Sequence, residues 1–172
     1  MRIGLLGGTF DPVHAGHIFI AEEARIRLEL ELVLFIVAGR PWLKLDRDIS
    51  PAELRVEMVR LSIAKHEHFV LSTVEVDRGG PSYMVDTLDE LRTTMGENEY
   101  YLILGRDSFT ELPLWKQAER IVELCKLVVV QRKQLRLVGL FTLLPSLFDL
   151  LHQYVIFLML GKHRIEIRIL FL

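Results

Sequence analysis

Two glycines and two histidines within one short stretch carry the clearest chemistry in this chain: Gly7-Gly8-Thr9-Phe10-Asp11-Pro12-Val13-His14-Ala15-Gly16-His17. Gly7 and Gly8 let the backbone approach a ligand that a Cβ would hold off. The residues behind them are good helix formers, so the stretch should hand a strand over to a helix, where unpaired first-turn amides and the helix dipole favour an anion. His14 and His17, three apart on a first helical turn, project to one side, and Gly16 between them leaves room for a nucleotide. Two imidazoles can then meet neighbouring phosphate oxygens. A Gly-Gly pair alone is often a tight turn and a lone histidine is often structural; it is the combination that points to phosphate chemistry. The stretch is not G-x-G-x-x-G, lacks the Lys-Ser/Thr of a Walker A loop and lacks the glutamate of H-E-x-x-H, which excludes dehydrogenase, P-loop and zinc-protease readings.

The elements that must hold these residues follow from the apolar pattern. Arg2 to Leu6 and the continuous run Leu32 to Val37 predict strands covered on both faces. Phe69–Val74, Tyr100–Leu104 and Leu127–Val130 predict three more. Helices are expected over Phe19–Leu30, after Ser50, around Met84, Leu88, Leu91 and Met95 up to Gly96, and over Trp115–Leu124. Ser50-Pro51-Ala52-Glu53 reads as a capping box with serine at the N-cap, and Leu54, Met58 and Leu61 as the buried stripe of that helix. Alternating strands and helices mean an α/β fold with a Rossmann-like doubly wound parallel sheet. Ligands of such sheets lie beyond the C-terminal strand ends, at a switch in strand order. Gly7-Gly8, Gly39-Arg40-Pro41 and Gly105-Arg106-Asp107-Ser108 all fall at such ends and should converge.

With 172 residues the chain is long enough for one domain with a substantial core. A net charge of −2 and scattered Lys and Arg give no footprint for nucleic acid. The single cysteine, Cys125 among apolar neighbours, should be a buried small residue, and no internal disulfide is possible. The cytoplasm is the expected compartment, with no removable leader, because the first residues already form the strand and loop. The oligomeric state is open.

The stretch G-G-T-F-D-P-x-H-x-G-H resembles the N-terminal signature of the nucleotidyltransferase superfamily with the H-x-G-H motif, and residues 1–132 are most similar to the nicotinate-nucleotide adenylyltransferases. The resemblance implies transfer of AMP from ATP to nicotinate mononucleotide, giving deamido-NAD and pyrophosphate, with Mg²⁺ carried on the ATP and no metal ligands of the protein's own. It implies His14 and His17 as catalytic residues, and Gly7, Gly8, Thr9, Phe10, Gly16, Gly105 and Asp107 with them as the ATP site. On the acceptor side it implies Lys44, in Arg40-Pro41-Trp42-Leu43-Lys44, which resembles the family's P-P-H-K but departs from it at Trp42-Leu43. Ser82-Tyr83-Met84-Val85-Asp86-Thr87-Leu88 matches S-Y-x-V-D-T-L and adds Tyr83 and Thr87. Gly105-x-Asp107-Ser108-Phe109-x-x-Leu112-Pro113-x-Trp115 matches G-x-D-S-F-x-x-L-x-x-W and adds Trp115, which would stack on the pyridine ring. Arg132 follows the fifth strand as in V-x-R-P-G, with Lys133-Gln134 in place of Pro-Gly.

Residues 133–172 form an atypical apolar segment, read as a divergent tail and not as a separate domain. The family's I-S-S-T-x-I-R, which holds the distal ATP phosphates, has no counterpart: Arg164-Ile165-Glu166-Ile167 resembles the strand leading into it, but Arg168 to Leu172 stands where the serines should be. Leu137–Leu160 is long and apolar enough to consider a membrane span, which Pro145, Asp149, His152 and Gln153 oppose. A divergent apolar helix pair, or a reading frame shifted after about Lys133, are the other readings. Three functions stay open: the adenylyltransferase above, a related adenylyl- or cytidylyltransferase using nicotinamide mononucleotide or phosphopantetheine, and a nucleotide-binding relic without turnover.

Overall fold

The computed structural model describes residues 1–42, 48–131 and 167–171. Six strands, β1 (Arg2–Gly8), β2 (Leu32–Val37), β3 (Phe69–Ser72), β4 (Glu99–Gly105), β5 (Lys126–Gln131) and β6 (Ile167–Phe171), form one sheet in the order β3-β2-β1-β4-β5-β6. All five pairings are parallel. The order reverses between β1 and β4, the switch point of a doubly wound sheet. Helices α1 (Ala15–Leu28), α2 (Ala52–Ile63), α3 (Val74–Arg78), α4 (Met84–Met95), α5 (Arg106–Glu111) and α6 (Ala118–Leu124) connect the strands.

Alternation along the buried strands divides the core between the two faces of the sheet. Val33, Phe35 and Val37 pack with Ala21, Ala24 and Leu28 of α1 and with Val59 and Ile63 of α2. Leu34 and Ile36 face the opposite way, towards Val85, Leu88 and Leu91 of α4 and Ile121 and Val122 of α6. The alanines on α1 bring that helix close to the sheet, and it ends at Leu28, two residues before the predicted limit, because Glu29 takes the left-handed cap conformation at φ 53°. Cys125 is buried in the core, as its neighbours imply.

Five local expectations are corrected. Pro51, not Ser50, caps α2, and no side-chain cap bond is made. Ser50 is taken by tertiary bonds instead: its N–H donates to Asp11 Oδ2 at 2.8 Å and its carbonyl accepts from Arg55 Nε at 2.8 Å. The buried stripe of α2 is Arg55, Val59 and Ile63, while Leu54 and Leu61 are 59% and 62% exposed. Both rows share the helical period, and an arginine at the head of the correct one disguised it. The third strand stops at Ser72, and Val74 opens α3. The helix expected from Trp115 starts at Ala118, because Pro113 sits in a 3-10 turn over Leu112–Leu114 and Gln117 is left-handed at φ 52°. The last strand lies at Ile167–Phe171, where the resemblance placed the serine motif. Among the described residues no helix is long and apolar enough to cross a membrane; Leu137–Leu160 lies outside them.

Candidate functional site

Gly7 and Gly8 close β1 beside β2, where Gly8 pairs with Val37 and its carbonyl accepts from Ala38 N at 2.9 Å. Phe10, at φ 51°, turns its ring back under Gly8 and is 2% exposed. A Cβ at Gly8 would stand 3.0 Å from that ring, so any larger residue would have to push the buried ring back by a few tenths of an ångström. Gly7 is exposed, and the nearest atom to a Cβ there is the end of Met84 at 3.1 Å, which puts the start of α4 against the loop.

His14 is the extended N-cap of α1 and His17 its third helical residue. Their rings stack with centroids 3.8 Å apart. His14 N–H donates to His17 Nδ1 at 3.2 Å, and the Phe10 ring meets the His17 ring edge-on at 5.0 Å. A neutral His17 that accepts at Nδ1 carries its proton on Nε2, so the backbone selects the tautomer. His14 is exposed and His17 partly so, with Gly16 between them. An exposed imidazole pair beside helix-start amides suits phosphate oxygens better than a hard cation, which takes oxygen ligands.

Three segments meet on the side that the resemblance sets against the acceptor. After β2, Arg40 and Pro81 form a parallel bridge; Ser82 N–H donates to the Arg40 carbonyl at 3.0 Å and Arg40 N–H to Ser82 Oγ at 3.2 Å. Tyr83, the N-cap of α4, packs against Trp42 at 5.9 Å, and Lys116 Nζ lies 4.8 Å over its ring. Lys116 also holds both carboxylate oxygens of Asp86 at 2.9 Å. Tyr83 thus joins the segments after β2, before α4 and after β4. Trp42, where the sequence departs from the family pattern, supplies one side of that contact.

Thr87 is the threonine that the resemblance sets on the acceptor side. It is fully buried, and its hydroxyl donates to Glu75 Oε1 at 2.7 Å and accepts from Arg78 Nη2 at 3.1 Å. Burial pushes the Glu75 carboxyl above its ordinary value against hydrogen bonds from Thr87 and Ser82 and the charge of Arg78. Thr87 therefore ties the start of α4 to α3 through Glu75 and Arg78. Gly105 caps α5, and Asp107 is exposed on its first turn. Phe109 and Leu112 of the same motif are core residues. Trp115 packs partly against the core, and its indole N–H is buried without a partner among the described residues. Lys44 and Arg132 lie outside the described residues. Sequence reasoning missed Arg55 and Glu75, the buried charges under these loops. A polar residue in phase with Val59 and Ile63 was the available signal for the first; no comparable signal marked Glu75.

A cytidylyltransferase-like family model matches residues 5–168. A probable nicotinate-nucleotide adenylyltransferase of Dehalococcoides mccartyi is 45% identical over 133 residues, covering 77% of this chain and 65% of that protein. Proteins of the same description from Geotalea daltonii and Thermus thermophilus are 48% and 46% identical over 132 residues, and the chain covers 61% and 70% of their lengths. In fold the chain is similar to a Plasmodium falciparum nicotinic acid mononucleotide adenylyltransferase complexed with NaAD. The TM-score is 0.71 at 14% identity, over 99% of this chain and 75% of that one.

Proposed function

We propose that this chain, which belongs to the cytidylyltransferase-like family and within it to the nicotinate-nucleotide adenylyltransferases, transfers AMP from ATP to nicotinate mononucleotide in NAD biosynthesis. A phosphate oxygen of the mononucleotide attacks the α-phosphorus in line. The new P–O bond forms as the bond between the α-phosphorus and the bridging oxygen breaks, and pyrophosphate leaves with that bond's electrons, so AMP passes to the acceptor as deamido-NAD. No protein nucleophile is needed; the protein holds two anions together and offsets charge on the transferring group. Mg²⁺ carried with ATP would offset charge on its phosphates. The cytoplasm is the compartment assigned to this reaction.

The observation that carries the reading is the His14–His17 stack at the opening of α1, on the strand next to the switch point. Gly7, Gly8, Thr9, Phe10, Gly16, Gly105 and Asp107 border the proposed ATP site, and Lys44, Tyr83, Trp115 and Arg132 the acceptor site. The uncapped first-turn amides of α4 suit the carboxylate of nicotinate over a neutral carboxamide. The test is pyrophosphate release from ATP with nicotinate mononucleotide, nicotinamide mononucleotide or phosphopantetheine. Fastest release with the first is expected. Release with none, despite measurable ATP binding, would establish a binding relic, and preference for phosphopantetheine would reassign the acceptor. His17→Ala should lower kcat by about 10²- to 10³-fold, the usual effect of removing one donor to a transferring group, and change ATP affinity far less.

A further inference from the structure

Arg55 is 1% exposed, and among the described residues its guanidinium donates to backbone carbonyls alone: Thr9 at 2.9 Å, Ala38 at 2.6 Å, Gly39 at 3.1 Å and Ser50 at 2.8 Å. Thr9 belongs to the phosphate loop. Ala38 and Gly39 open the segment that runs to Arg40 and Trp42, and Ser50 leads into α2. The phosphate loop returns the contact, since Asp11 accepts from the Ser50 N–H at 2.8 Å. Removing a guanidinium from water costs several kcal/mol, and a well-packed apolar side chain is often no less stabilising. Stability alone therefore does not account for a buried arginine whose four acceptors all lie in segments bordering the proposed site.

We propose that Arg55 is a positioning residue that fastens the nucleotide loop to the acceptor loop, setting the separation of the two substrates without touching either. The proposal rests on the reaction assigned above. A planar fork with five donors can span four carbonyls; an ammonium, with three donors at one point, cannot. Burial lowers the guanidinium's pKa, and the carboxylates of Asp11 and Glu53 oppose that shift.

The test uses the full chain with Arg55→Lys and Arg55→Ala. In Arg55→Lys, amide hydrogen exchange should quicken in both residues 7–13 and 38–42 while α4 keeps its protection. In the same variant kcat should fall roughly 10- to 100-fold with each KM within about threefold, the pattern of misplaced substrates. Added guanidinium ion should return part of the kcat lost in Arg55→Ala. The parent alone supplies a second measurement: the Ala38 and Ser50 amides, bonded to Gly8 and Asp11, should open as one unit, with equal denaturant dependence of exchange. Unchanged exchange in either loop of a folded Arg55→Lys, or independent opening of the two amides in the parent, overturns the proposal. A parent that releases no pyrophosphate counts against the reaction, and the exchange measurements then decide on Arg55 by themselves.

Discussion

Gly39→Ala tests how rigidly the proposed acceptor side is built. A Cβ at Gly39 would stand 2.5 Å from the Glu75 carbonyl oxygen, 3.0 Å from its carbon and 3.1 Å from Val76 Cα. Ordinary contact begins at 3.4 Å, so the two segments must part by about 0.9 Å. All three neighbours are backbone, and no rotamer change relieves them. Nor can the segment slide freely, because the Gly39 carbonyl is held by Arg55 and both peptide groups of Arg40 are held by Ser82. The displacement therefore reaches either the start of α4 or, through Arg55, the phosphate loop. A misplacement near 1 Å costs on the order of 10²-fold in rate, so kcat should fall about 10- to 100-fold. Overpacking of this kind costs about 1–3 kcal/mol, a drop of roughly 2–12 °C in Tm for a chain of this size. Pyrophosphate release at saturating ATP and nicotinate mononucleotide, run beside thermal melts, reads both effects. A variant within twofold of the parent in kcat and unchanged in Tm would refute the argument.

Gly105→Ala should behave in the opposite way: nothing lies within 4 Å of a Cβ there, so stability should hold while ATP affinity falls, as calorimetry would show. Retained affinity would remove Gly105 from the ATP site. For Glu75, a carboxyl raised by burial means that the folded state holds its proton at pH values where the unfolded chain has released it. Its contribution is thus present below the unfolded pKa of about 4.3 and is lost as pH rises through the folded value. The Tm of the parent minus that of Glu75→Gln should accordingly shrink from pH 4 upwards; a difference that grows with pH would contradict the buried placement. Cys125, 7% exposed with its thiol pushed up to about 12, should resist a thiol reagent at pH 8 in the native protein and react at once in denaturant.

The sheet was legible because each central strand is an uninterrupted apolar run and each connecting stretch carries a helical period, so β2, β4 and β5 fall within a residue or two of their expected limits. The Gly7–His17 stretch was legible as the hand-over from strand to helix, since its glycines close β1 and its histidines open α1. What stayed hidden were residues whose role comes from tertiary acceptors. Arg55 looks like a surface residue until four carbonyls arrive from Thr9, Ala38, Gly39 and Ser50. Ser50 looks like a cap until Asp11 claims its amide. Thr87 looks like an ordinary first-turn hydroxyl until Glu75 is placed beneath it. In each case a long-range hydrogen bond overrode a local preference, which no short window of sequence contains.

Of the six strands, β1 precedes the others in the chain and lies in the middle of the sheet, flanked by β2 on one side and β4 on the other. Ile3 must wait for Tyr100 before its second edge is covered, so a nascent chain carries a buried strand with one edge unpaired until β4 is made. Synthesis of β4 is then the moment at which the amino-terminal loop gains its far wall. Chains arrested before that point should engage holding chaperones, and those arrested beyond it should begin to resist proteases.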